Sequence, residues 1–197
     1  MFCFLKSNES LSAPDIQINF TPGTHQRGMQ STLENQAGFT MATWQHRPES
    51  YGYVRARSQD PFKHPEIQPN YLAADTDQQV ILAAIKTCRK LAQTEALKPF
   101  VVEETFPSVA CQNDNDLLNS AREIGQSIYH LMGPCRLGSR DDKTAVVDAE
   151  LRVHGIKNLR ARTRALLATM YEDVSGACRG GGQHQRCDRN RPRWSLS

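Results

Sequence analysis

The sequence has no long apolar run. No stretch approaches the roughly 18 consecutive apolar residues that a membrane-spanning helix requires, and the apolar opening Met1-Phe2-Cys3-Phe4-Leu5 breaks at Lys6, too soon for a signal-peptide core. Six cysteines are present, yet none forms a Cys-x-x-Cys pair. That argues against a zinc ribbon or a dithiol redox centre and predicts reduced thiols in an intracellular, cytoplasmic protein rather than a disulfide framework. No Gly-x-Gly-x-x-Gly turn occurs anywhere, and Gly180-Gly181-Gly182 lacks the preceding strand that such a turn needs. A dinucleotide therefore has no glycine-rich turn on which to rest its pyrophosphate. Strong net charge is missing as well, at +3 overall, but the balance is uneven. Residues 160–197 hold eight Arg against three acids, so the basic surplus lies wholly in that segment.

What is present is enough for an ordinary folded domain: 197 residues, 39% hydrophobic and 23% charged. Ile16, Ile18 and Phe20 alternate with Gln17 and Asn19, which predicts a half-buried strand. Phe39 to Trp44 and Tyr53 to Arg57 read as further strands, with a long loop over 21–38 between the first two. Pro61, Pro65 and Pro69 predict irregular chain up to Leu72. Asp75-Thr76-Asp77 offers capping side chains for a helix with Ile81, Ala84, Ile85, Cys88, Leu91 and Ala92 on its apolar face, stopped by Pro99. A second helix opens near Asn113–Asp116, aligns Leu117, Ala121, Ile124 and Ile128, and is predicted to run into Tyr129-His130 before Gly133-Pro134. Short strands at Thr144–Val147 and Leu151–Val153 complete an α+β domain: a mostly antiparallel sheet with flanking helices. Its predicted extent is 1–159; 160–197 is predicted to be a divergent, disordered Arg/Gly-rich tail.

The densest cluster of chemical groups is Tyr129-His130-Leu131-Met132-Gly133-Pro134-Cys135-Arg136-Leu137-Gly138. A histidine at a helix end before Gly-Pro is placed as a general base is placed, though a helix dipole also favours histidine there for stability alone. His154 reads as a structural member of a Val-His-Gly turn, and His25, His46 and His64 as ordinary surface residues. Cys178, His184 and Cys187 supply three ligand types without a fourth, too few for a closed zinc site, so no metal is expected. The basic tail raises one alternative of another class, a non-enzymatic module binding nucleic acid or an anionic surface. With only Tyr171 and Trp194 as aromatics, nucleic acid is the weaker reading.

Several segments, taken in order, carry a resemblance. Arg47-Pro48-Glu49-Ser50-Tyr51-Gly52-Tyr53-Val54-Arg55 precedes Ser58-Gln59-Asp60-Pro61 and Pro65-Glu66-Ile67-Gln68-Pro69-Asn70-Tyr71-Leu72. The Tyr129–Gly138 segment then leads to Ala145-Val146-Val147-Asp148 and Leu151-Arg152-Val153-His154-Gly155-Ile156. Together they resemble the C-terminal region of the glucose–methanol–choline (GMC) oxidoreductases, nearest to choline dehydrogenase-like members. The resemblance implies FAD as cofactor, held by an FAD-binding domain normally in the same chain, and a primary alcohol as substrate. It implies that His130 is the catalytic residue beside the flavin ring, acting on the substrate hydroxyl. Leu131, Pro134 and Leu137 stand where the family usually has proline, threonine and methionine, and Pro134 removes a backbone donor. Ungapped continuation would put the family's cofactor-contacting aspartate at Thr163 and its second catalytic residue, an asparagine, at Val174. The text after Leu159-Arg160 instead resembles out-of-frame translation. The expectation is an enzyme portion inactive in isolation.

Overall fold

The computed structural model describes residues 1–161 apart from 27, 28, 36, 129 and 131; the tail from 162 onward, with Thr163, Val174, Cys178, His184 and Cys187, lies outside the described residues. The chain divides into two compact units, Met1–Ile128 and Tyr129–Ser197.

The first unit is built on a three-stranded antiparallel sheet in the order β1-β2-β5, formed by β1 (Phe2–Leu5), β2 (Ile16–Thr21) and β5 (Thr40–Gln45). The alternation in β2 works as the pattern predicts: Ile16 and Ile18 are buried on the face they share with their cross-strand partners Leu5 and Cys3. Against that face lies α1 (Asp75–Ala92), which presents Val80 and Ala84; Cys3, Leu5, Met41, Ala83, Cys88 and Leu91 close the cluster. Full burial of each of these aliphatic side chains contributes roughly 1.5–3 kcal/mol. A second helix, α2 (Asp114–Ile124), packs against α1 and buries Leu117 and Leu118. Antiparallel sheets with two helices make the α+β fold that strand and helix periodicity predict.

Several features differ from the sequence expectation. The stretch read as a loop over 21–38 contains a hairpin, β3 (His25–Gln26) with β4 (Met29–Leu33). The proline-punctuated stretch contains β7 (Glu66–Gln68), which pairs with β6 (Tyr53–Arg55) in a separate two-stranded sheet. β7 fits exactly between Pro65 and Pro69, so no ladder position needs the N–H that proline lacks. The third difference bears on function. α2 ends at Ile124, because Gly125 turns out of the helix at φ −55° and ψ 134° while its N–H still donates to the Ala121 carbonyl. A Cβ at position 125 would lie 2.4 Å from that carbonyl oxygen, so this exit depends on glycine. His130 therefore does not stand at a helix end. α1 likewise stops at Ala92, well before Pro99, which falls in the short 3-10 turn Lys98–Phe100.

Candidate functional site

The second unit, in its described part, is a small ladder wound around Val147, which is completely buried. Leu137 bridges Val147 in parallel, Val147 bridges Val153 in antiparallel, and Arg152 bridges Arg160; the predicted strands at 144–147 and 151–153 are thus single bridges. The Gly138 N–H donates to the Val147 carbonyl at 3.0 Å, and the Arg136 carbonyl accepts from Val146 at 2.7 Å and Val147 at 3.2 Å. A side chain at 138 would bring its Cβ to 2.8 Å from that of Ala145, so the loop 139–145 closes only over glycine. Asp142 ties that loop by accepting from the Thr144 N–H at 2.9 Å and hydroxyl at 2.7 Å; these bonds hold its carboxyl below the ordinary value. Asp148 does the same for the next turn, accepting from Glu150 and Arg152 N–H groups and pairing with the Arg152 guanidinium at 2.7 Å.

His130 lies at the entry of this unit, exposed, and its ring makes no hydrogen bond or ion pair with any described residue. Downstream, Gly133 takes φ +94°, a left-handed conformation that favours glycine, and its carbonyl accepts from the Arg136 N–H at 3.1 Å. His130 thus precedes, in sequence, the turn that feeds the ladder. His154 is half-buried, donating its N–H to the Val146 carbonyl at 2.9 Å and placing Nε2 3.1 Å from the Gly138 carbonyl. Of the remaining described histidines, His46 and His64 are exposed, as surface residues are, and His25 departs from that expectation. His46 sets Nε2 2.5 Å from Gln17 Oε1 and meets Phe4 edge-on, and His25 is half-buried with Nδ1 unpaired. No group of three or more metal-ligand side chains gathers among the described residues.

Sequence reasoning missed a second constellation, in the first unit. Asp77 is only 2% exposed and accepts from the N–H groups of Glu49 at 2.8 Å and Ser50 at 2.9 Å. Ser50 Oγ in return accepts from Ala73 and Ala74, both at 3.0 Å, at the start of α1. The clue in the sequence was an aspartate at position 77 on the same helical face as Val80 and Ala84; spacing could not name its partners 27 and 28 residues upstream. The clamp fixes the Arg47–Gly52 segment on the helix.

Both described helix N-termini can be tested against a dinucleotide. The N–H groups before α1 are taken by Ser50, and its first turn carries Asp75 and Asp77; at α2, Asn113 takes the Asp116 N–H, and Asp114 and Asp116 fill the first turn. A pyrophosphate would meet carboxylates where it needs free donors. Neither helix N-terminus offers the phosphates of FAD a cradle free of carboxylates. The recess of about 350 Å³ lined by Cys111, Asp116, Asn119, Ser120 and Glu123 is acidic too, and His130 is not among its walls.

The fold and the order of segments along the chain define a class, the oxidoreductases of the GMC type. Residues 48–171 match the family model for the C-terminal region of the GMC oxidoreductases, and the chain belongs to that family. It is 36% identical to the oxygen-dependent choline dehydrogenase of Cronobacter sakazakii over 157 residues, which is 80% of the chain and 28% of that enzyme. It is 34% identical to the mitochondrial choline dehydrogenase of Homo sapiens over 174 residues, 88% of the chain and again 28% of the relative. The chain thus spans little more than a quarter of the length of these curated relatives. Among solved structures, pyridoxine 4-oxidase from Mesorbium loti superposes with a TM-score of 0.68 at 20% identity, over 84% of this chain and 32% of that one. A formate oxidase does so at 0.67 and 26% identity, over 79% and 28%. An FAD-dependent oxidoreductase from Chaetomium thermophilum follows at 0.60 and 20%, over 78% and 24%. FAD is the cofactor named for the formate oxidase of Aspergillus oryzae RIB40 and for the Chaetomium thermophilum oxidoreductase. No helix among the described residues is long and apolar enough to cross a membrane.

Proposed function

We propose that this chain is the substrate-side, C-terminal portion of an FAD-dependent oxidoreductase acting on CH–OH donors, with choline or a comparable primary alcohol as substrate. The observation that carries this reading is the match to choline dehydrogenases at 34–36% identity along 80–88% of the chain. Residues 1–159 form this portion and 160–197 a separate basic tail. The dinucleotide is held by an FAD-binding domain normally in the same chain, in keeping with the occupied, acidic helix N-termini here. In isolation, the 197 residues are inactive. The four free cysteines among the described residues support an intracellular, cytoplasmic location.

The chain's own contribution is to bind the alcohol and take its proton. An imidazole nitrogen of His130 accepts the hydroxyl proton as the alcohol is oxidised; the flavin of the FAD-binding domain would supply the hydride acceptor. An exposed ring is open to substrate. The test is a chimera in which residues 48–161 replace the matching segment of the Escherichia coli choline dehydrogenase, a relative at 36% identity. The chimera should oxidise choline, and His130→Ala should lower kcat by about 10²–10⁴-fold. If His130→Ala keeps kcat within about threefold, the assignment of the base fails. Purification of the 197-residue chain with a full complement of flavin would overturn the division of labour between the two portions.

A further inference from the structure

We propose that His154 is a positioning residue for His130: through its ring it locks the exit of the 130–138 segment onto the ladder of the second unit. The inference rests on His130 acting as the base, and adds to it a named device that holds the base in place.

The ring nitrogen Nε2 lies 3.1 Å from the Gly138 carbonyl oxygen. A carbonyl only accepts, so Nε2 carries the proton and His154 is the donor. The Gly138 N–H already donates to Val147, on the middle row of the ladder. His154 belongs to the next row, where Val153 bridges Val147 and the His154 N–H donates to Val146 at 2.9 Å. Its side chain therefore reaches across the buried Val147 and ties the third row directly to the first. Beside that bond, the exit of the segment is held by the Arg136 and Gly138 backbone on Val146 and Val147, and by the Arg136 side chain on Asp142 and Thr144.

The entry side of the segment is not helical. α2 has already ended at Ile124, and Gly133, at φ +94°, is a pivot with open space around its Cα. The ladder is the part of this support to which His154 contributes. Misplacement of a reacting group by about 1 Å costs on the order of a hundredfold in rate, so a loosened exit should be felt in catalysis even though His154 touches no substrate. Glutamine can also present an N–H to the Gly138 carbonyl, whereas alanine cannot.

The experiment has two arms. In the full 197-residue chain, hydrogen exchange read by mass spectrometry should show faster exchange over 130–138 in His154→Ala than in the wild type. Exchange in β2 and α1 should be unchanged, and His154→Gln should return 130–138 toward wild-type rates. In the chimera described above, His154→Ala should lower kcat for choline by about tenfold or more with KM within about twofold, and His154→Gln should recover most of the loss. Unchanged exchange over 130–138 overturns the inference. So does faster exchange with an unaltered kcat in a chimera that His130→Ala inactivates, and in that case the proposed function stands. A fully active His130→Ala chimera removes the proposed function itself, a result separable from either of the others.

Discussion

Asp77 shows how one residue can carry a meaning that its position in a pattern does not reveal. Asp75-Thr76-Asp77 reads as a capping cluster, yet the residue before α1 is Ala74 and the helix start has no capping side chain of its own. Asp77 instead turns inward. Burial by itself would push its carboxyl up, but the donors from Glu49, Ser50 and Gln45 outweigh burial and hold it below the ordinary carboxylate value. A depressed folded value means that its stabilisation is present above the unfolded value of about 3.9 and is lost as pH falls through the folded one. Asp77→Asn should therefore cost about 2–3 kcal/mol at pH 7, because its amide N–H₂ must face a backbone donor. The gap to wild type should narrow below about pH 4, which urea unfolding at neutral and acid pH would reveal. An equal gap at both would mean that the carboxylate's charge is irrelevant.

At the scale of elements, the approach to α1 is tied down from a distance. Ser50 Oγ accepts from Ala73 and Ala74, more than twenty residues further along. Ser50→Ala should destabilise the first unit by about 1–2 kcal/mol, with Ser50→Thr near neutral, as measured by thermal unfolding followed by helix circular dichroism. The legible elements were those with a strong period: β2, β5, β6, α1 and α2 all appear where alternation or 3.6-residue spacing places them. The missed ones, β1, β3, β4 and β7, are short or two-stranded, and their existence depends on a partner strand rather than on a local period. α2 was read too long because Ile128 happens to continue its apolar face, whereas a single glycine at 125 outweighs one further apolar contact. The candidate site suffered from the same error. His130 was found by its neighbours in the sequence, but it precedes a turn and a ladder and does not end a helix. The role of His154 in that ladder was legible only as "structural", since a bond across sixteen residues to a backbone carbonyl leaves no mark on local composition.

For the whole molecule, what matters is how much apolar surface remains uncovered. Phe62 and Val102 are 93% and 98% exposed, and Tyr51, Phe100 and the opposed β6–β7 pair Val54 and Ile67 also face outward. We expect the chain to self-associate in isolation, with a sedimentation coefficient that rises with concentration; a monomer at all concentrations would contradict this. Its core should nevertheless be intact, and Cys88 reports on it. Burial, with a smaller push from Cys3, raises this thiol to about 11, so at pH 8 iodoacetamide should modify Cys88 far more slowly than in the urea-unfolded chain. Rapid labelling, read by peptide mass spectrometry, would mean that the sheet and α1 separate. Taken alone, the sequence determined the α+β class, the family and the candidate base, because these rest on local period and on motif order along the chain. Only the tertiary structure decided which backbone groups Asp77, Ser50 and His154 hold, and where α2 lets go. Those are hydrogen bonds between distant segments and the steric limit at one glycine, which exist only once the chain has closed on itself.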